Sequence, residues 1–210
     1  MHFDLKALRQ INQLGRANQL DETGSNLVNV FGTLTRKEQS ALADELCRLT
    51  GVFADVDTIP AGAGGHHSLR FQDRWKSDLW YSPDDVSDGT MLLLAYLLLQ
   101  RETPRADIIA VEEPDRGLHP YLLGQLLAFM RALTVGPKPV QFILATHSAE
   151  LLDHVQPREV RFLTRDRNDG TVKVDRIDPK AENWEETFRE YRQSLGSVWL
   201  AGGVGGVPGE

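Results

Sequence analysis

Three short stretches of the chain carry residues whose types and spacing suit a reaction at a phosphate. Residues 108–111 are four apolar side chains in a row, and the run stops on two adjacent carboxylates, Glu112 and Glu113. Pro114 then removes a ladder donor and Gly117 allows a turn. Paired acids at the C-terminal end of a buried strand face the crevice where open α/β sheets bind ligands, and their oxygens suit Mg²⁺ ligation and activation of a water molecule. Ser87-Asp88-Gly89-Thr90 opens an apolar helix, where unpaired N–H groups and the positive end of the dipole accept an anion. His147 closes a second apolar strand, within reach of a terminal phosphate. Two acids after a strand are, by themselves, equally the solvated start of a loop. Joined to an anion site and an imidazole, they fit phosphoryl transfer.

The elements around these stretches alternate. The sequence predicts a helix over 91–100, a strand over 107–112, a turn over 113–119, a helix over 120–133 broken by Gly136-Pro137-Lys138-Pro139, a strand over 140–146, and a helix over 149–155 capped by Ser148. Helices between strands at this spacing imply parallel strands with crossover helices, so the fold class is α/β with a parallel-stranded core. Upstream, Leu5, Leu8, Ile11 and Leu14 predict a short amphipathic helix over 3–14 ending at Gly15. Thr35 and Glu38 have capping-box spacing before Leu42, Leu46 and Leu49, and Gly51 closes that helix. Residues 23–26 are turn chemistry, 61–65 a glycine loop and 67–72 a half-buried strand. Downstream, strands over 158–164 and 171–177 are joined through Asp169-Gly170, and a charged helix over 182–193 carries Trp184, Phe188 and Tyr191 on one side. The stretch 196–210 holds six glycines and a proline, with apolar residues such as Val198, Trp199 and Leu200 that dock part of it.

Composition narrows the classes. A net charge of 23 − 30 = −7 argues against coating nucleic acid over the whole surface, though not against a local basic patch. Arg158, Arg161, Arg165, Arg167, Lys173 and Arg176 do cluster around the downstream strands, but interleaved acids make them a solvated face. Cys47, the single cysteine, forms no internal disulfide and reads as an inert thiol in a helix, which fits a reducing cytoplasmic setting. The N-terminus has no signal-peptide core, and the most apolar run, 91–99, is far short of the roughly 20 residues a spanning helix needs. The expectation is no membrane partner. His66 and His67 point to opposite faces of a strand and make no metal site.

In order along the chain, Val86-Ser87-Asp88-Gly89-Thr90, then Ile109-Ala110-Val111-Glu112-Glu113-Pro114-Asp115-Arg116-Gly117-Leu118-His119-Pro120, then Ala145-Thr146-His147-Ser148, resemble the signature, Walker B, D-loop and switch-histidine motifs of ABC-type ATPases. The closest branches are the RecF/SMC-like and OLD-like ones, often described as AAA-family ATPases, which act in DNA repair or phage defence. The resemblance covers about residues 86–155, and Gly24-Ser25-Asn26-Leu27 is similar to the family's middle region. It implies a P-loop NTPase-like core forming the C-terminal part of an ATPase head. Residues 1–85 would be an incomplete middle region, 86–178 the motif-bearing core with its hairpin, and 179–210 a C-terminal helix and glycine-rich tail.

The resemblance also implies roles. Glu113 would be the general base and Glu112 would help hold Mg²⁺, in place of a more usual aspartate. His147 would contact the γ-phosphate of ATP. Ser87, Asp88 and Gly89 would cap an ATP bound to the opposing subunit, with Asp115 and His119 at the same dimer interface. The departure is as informative: no Gly-x-x-x-x-Gly-Lys-Ser/Thr occurs, and residues 62–68 run on into His66-His67-Ser68. In the family that Walker A lobe lies near the N-terminus, so it is expected from another segment or chain, through separate coding, truncation or a misplaced start. Hydrolysis would then require that lobe, and the isolated chain would be inactive. A second reading makes the chain a non-catalytic module that dimerises with a full-length ATPase. A third, direct nucleic-acid binding, rests on analogy.

Overall fold

The computed structural model describes residues 1–102, 104–178, 180 and 184–204, which form two compact units, Met1–Ala145 and Thr146–Glu210. The first unit does not begin with the helix expected over 3–14. A 3-10 turn spans Ala7–Arg9, and strand β1 follows at Asn12–Gln13. The Asp4 carboxylate accepts the N–H groups of Lys6 and Ala7 at 2.8 Å each, which fixes a tight turn in place of a helical start. Gln10 is extended, and Asn12 and Gln13 pair antiparallel with His67 and His66. Leu8 is buried, whereas Ile11 and Leu14 are exposed, so the three-residue spacing marks no helical stripe.

Helix α1, Leu27–Thr33, buries Leu27, Val28, Val30 and Phe31. Helix α2, Arg36–Thr50, begins and ends as its sequence requires. The Thr35 hydroxyl accepts the Glu38 N–H while the Glu38 carboxylate accepts the Thr35 N–H, and Gly51 closes the helix in the left-handed region at φ 72°. Strand β2, Phe53–Pro60, runs antiparallel to β3, His66–Asp73, around the glycine loop, and β4, Trp80–Tyr81, pairs with β3 on the other side of the Trp75 turn. With β1 these make one antiparallel sheet, whose buried face carries Phe53, Val56, Leu69 and Phe71.

Helix α3, Asp88–Leu99, is the centre of this unit. Every residue from Gly89 onward is buried, as an all-round apolar helix demands. Strand β5, Ile108–Glu112, helix α4, Pro120–Thr134, and strand β6, Gln141–Ala145, form the expected parallel crossover, in register from Ile108 opposite Gln141 to Glu112 opposite Ala145. Ile109 and Val111 are buried on one face of this pair. On the other face Ile108 and Ile143 are 56% and 54% exposed.

The second unit holds helix α5, Ala149–Asp153, strands β7, Phe162–Arg165, and β8, Val172–Asp175, helix α6, Trp184–Glu190, and helix α7, Leu195–Leu200. The hairpin is the expected one, shortened because Pro157–Glu159 winds as a 3-10 turn. The start of the helix expected over 182–193 lies outside the described residues, and so does 205–210 of the tail. The part of the tail that is described does dock, since α7 buries Val198 and packs Trp199 with Leu152, Phe162 and Ile177. No helix among the described residues is long and apolar enough to cross a membrane.

Candidate functional site

The two carboxylates stand where the β5 sequence delivers them. Glu112 is the last residue of the strand, with its side chain 65% exposed, and the alternation of a pleated strand puts Val111 in the core and Glu112 outside it. Glu113 is half-buried and lies in the left-handed region at φ 46°. A residue with a Cβ pays for that conformation in strain, and such strain concentrates at functional positions. The Glu113 N–H donates to the Ala145 carbonyl at 2.7 Å, continuing the parallel ladder one residue beyond the end of β5. The buried Pro114 follows directly, and the Arg116 N–H closes back on the Glu113 carbonyl at 3.1 Å. The carboxylates share the lining of a small surface pocket with His2, Phe3, Leu92, Tyr96 and Arg116.

The start of α3 meets the turn after β5. Ser87 is the N-cap, its hydroxyl accepting the Thr90 N–H at 3.2 Å. A Cβ on Gly89 would lie 3.1 Å from the Gly117 carbonyl oxygen, and one on Gly117, whose φ is 76°, would lie 3.3 Å from Cβ of Asp88. Two glycines therefore let the signature-like and D-loop-like turns touch backbone to backbone. The half-buried Asp115 sits in the same turn, accepting the Leu118 N–H on its carbonyl. Burial first, and then the charge of Asp115, push the Tyr96 phenol well above its ordinary value, so that hydroxyl stays protonated. His119 caps α4, with its Nδ1 accepting the Tyr121 N–H at 3.2 Å.

Ser87, Asp88, Gly89, Glu112, Glu113 and Asp115 thus belong to one unit, built from the ends of β5 and α3. His147 belongs to the second unit, exposed in the turn where Ser148 caps α5 by accepting the Leu151 N–H at 3.2 Å. Sequence reasoning missed Arg9. Its guanidinium donates to the carbonyls of Leu5, Pro83 and Val86 at 2.9 to 3.1 Å and pairs with Asp88 at 2.7 Å. Nothing in its local sequence marks it, because Pro83, Val86 and Asp88 are brought to it by the fold. Histidine also approaches the acids: Nδ1 of His2 is 3.3 Å from a Glu112 oxygen, without hydrogen-bond geometry.

Mg²⁺ fits this donor set. The ion keeps most of its waters and takes one or two carboxylates plus phosphate oxygens, which an exposed Glu112 can serve. Among the described residues no group of three or more His, Cys, Asp or Glu side chains forms an all-protein metal cage.

A family model described as "AAA domain, putative AbiEii toxin, Type IV TA system" matches residues 4–153, more than half of the chain. The chain belongs to this AAA-domain family. Membership makes it an AAA-type ATPase domain. Among solved structures, an SMC head bound to the C-winged helix domain of ScpA is similar over 88% of this chain and 57% of its own, at 14% identity and a TM-score of 0.54. A structure described under ATP-driven dimerization and DNA stimulated activation of SMC ATPases matches 74% of this chain and 94% of its own, at 15% identity and a TM-score of 0.47. An SMC head with an extended coiled coil from Pyrococcus furiosus, bound to the C-terminal domain of ScpA, matches 74% and 38%, at 15% identity and a TM-score of 0.46. No curated protein matches the sequence. The AAA domain thus has the fold of an SMC ATPase head, a P-loop NTPase fold, as the motif order implied. It does so without Gly-x-x-x-x-Gly-Lys-Ser/Thr anywhere in its 210 residues.

Proposed function

We propose that this AAA domain is the hydrolytic part of an ATPase head of the SMC-like or OLD-like branch, and that it turns over ATP when another segment or chain supplies the phosphate-holding Walker A lobe. One observation carries the reading. The parallel pair β5–β6 ends on Glu112 and Glu113, yet among the described residues it stops at two strands, with Ile108 and Ile143 exposed on one face. Parallel strands are ordinarily covered on both faces. On β5 the outer edge is met by Met1, whose carbonyl accepts the Glu112 N–H at 3.0 Å. On β6 the outer edge carries no further strand among the described residues.

In this reading Glu113 accepts the proton of the attacking water, and its fixed backbone aims the carboxylate without reorganisation. Glu112 would help hold Mg²⁺, which would supply charge neutralisation at the phosphate oxygens. His147 donates to the γ-phosphate. Ser87, Asp88, Gly89 and Asp115 face the ATP of an opposing subunit, which makes the working unit a dimer. Residues 1–85, 86–178 and 179–210 then serve as middle region, motif-bearing core and C-terminal appendage. DNA repair or phage defence is the setting that the branch offers, and nucleic acid a partner by analogy.

Co-purification of the tagged chain, followed by peptide sequencing, identifies the polypeptide bearing the Walker A motif. In that assembly Glu113→Gln is expected to lower ATP turnover about 10²–10³-fold with ATP binding retained. Turnover that survives the substitution sinks the role of Glu113. Calorimetry on the chain alone is expected to show no ATP binding at micromolar concentration, and a micromolar Kd there would refute dependence on a second lobe. A second reading, a non-catalytic module that dimerises with a complete ATPase, is favoured by the missing Walker A motif. It predicts an assembly whose turnover is indifferent to both Glu113 and His147.

A further inference from the structure

Arg9 stands outside every motif, on the 3-10 turn near the start of the chain, with its side chain only 15% exposed. Its Nε donates to the Pro83 carbonyl at 3.1 Å, Nη1 to Leu5 at 2.9 Å, and Nη2 to Val86 at 3.0 Å. The same Nη2 lies 2.7 Å from Oδ1 of Asp88, the first residue of α3. The carbonyls of Pro83 and Val86 and the Asp88 carboxylate bracket Ser87. A planar guanidinium can hold three acceptors and a carboxylate at fixed angles, which an ammonium cannot. We propose that Arg9 is the positioning residue of the Ser87–Gly89 turn: it fixes the loop that leads into α3 and pairs the Asp88 charge, so that the turn can meet a nucleotide phosphate without an unpaired carboxylate beside it.

This rests on the reading that Ser87 and Gly89 face ATP. The physical reason for a dedicated cation is the sign of Asp88. A carboxylate in the first turn suits the helix dipole, but left unpaired it repels the phosphates that the same N–H groups would attract. Arg9 cancels that repulsion from the protein side and leaves the backbone donors of the turn in place. Removing it therefore does two separable things, freeing the loop and uncovering the acid.

The chain alone gives the first measurement. In Arg9→Met, amide exchange at Asp85, Thr90 and Met91, whose N–H groups bond within this turn, is expected to rise about tenfold or more while thermal unfolding stays cooperative. Unchanged exchange overturns the proposal whatever the ATPase does. The second measurement uses the assembly with the Walker A polypeptide. Arg9→Met is expected to raise KM for MgATP about tenfold with kcat within about twofold, and Arg9→Met/Asp88→Asn to recover most of that loss. The double variant restores no carbonyl contact, so recovery separates charge pairing from folding. An equally weak double variant overturns the charge-pairing role. Wild-type assembly without turnover overturns the ATPase reading, whereas turnover in which Arg9→Met leaves KM unchanged overturns only the role given to Arg9.

Discussion

Glu113 shows what a residue type alone can and cannot reveal. Its place after four apolar residues and beside a second acid is visible in the sequence, and so is the chemistry those oxygens suit. Its left-handed backbone at φ 46° is not. Nor is the bond from its N–H to the Ala145 carbonyl of β6, a contact between residues 32 positions apart. Arg9 was illegible for the same reason, since two of its carbonyl acceptors, Pro83 and Val86, and the Asp88 carboxylate reach it only in the fold. Cys47 was legible: burial, aided by Asp55 and Asp44, pushes its thiol up to about 11, which leaves it protonated and inert. Glu102 was not anticipated. It is buried, and one of its oxygens accepts the Leu20 N–H at 2.9 Å. Burial raises its carboxyl above the ordinary range, partly offset by that hydrogen bond. A raised folded value means that the folded state favours the proton. The contribution to stability is complete below the ordinary glutamate value and is lost as pH rises through the folded one. Glu102→Gln keeps an acceptor for Leu20 and removes the titration. Its Tm relative to the parent is therefore expected to climb by a few degrees between pH 4 and pH 7.5, measured by calorimetry. A difference independent of pH would show that the carboxyl does not titrate with folding.

At the scale of elements, what the sequence states locally is what survived. The capping box and the glycine end of α2, the Ser87 and Ser148 caps, the all-apolar α3 and the crossover through α4 are each written within a few residues. Helix α1 and strand β2 were not anticipated, because residues 23–26 read as a turn and Asp55 and Asp57 interrupt the apolar pattern of β2. The Asp57 carboxylate is matched by residues distant in sequence, Arg70 on β3 at 2.8 Å and Arg36 on α2 at 3.2 Å. The same logic governs α5 and α7 in the second unit. Gly196 lets them touch: a Cβ there would lie 2.0 Å from the Ala149 carbonyl oxygen, and the Gly196 N–H donates to Asp153 at 2.8 Å. Backbone cannot yield as a flexible side chain can. Gly196→Ala is expected to destabilise the second unit by about 3 kcal/mol or more, seen as early loss of protection in α5 and α7 during urea unfolding. An unchanged midpoint would mean that the two helices are not packed this closely.

For the molecule as a whole, the informative feature is a surface that the described residues leave open. Gln141 donates to Asp107 at 2.8 Å and the Ala145 carbonyl accepts from Glu113, so the parallel ladder turns the N–H groups of Phe142 and Leu144 away from β5. Beside them Ile108 and Ile143 stand exposed. An unpaired edge next to an apolar face is costly to leave bare, and a further strand with a covering layer answers both needs at once. The reading of this AAA domain as one part of a divided head therefore makes a demand on a residue that touches no substrate. Ile143→Lys places a charge on the bare face. Because Ile143 is already 54% exposed, the isolated chain is expected to keep its stability within about 0.5 kcal/mol. Burying that ammonium under a second lobe is costly, so the variant is expected to lose assembly and ATP turnover together. Sedimentation measures the first and phosphate release the second. If Ile143→Lys assembles and hydrolyses as the parent does, the phosphate-holding lobe docks elsewhere, and the open sheet is no guide to who brings ATP to Glu112 and Glu113.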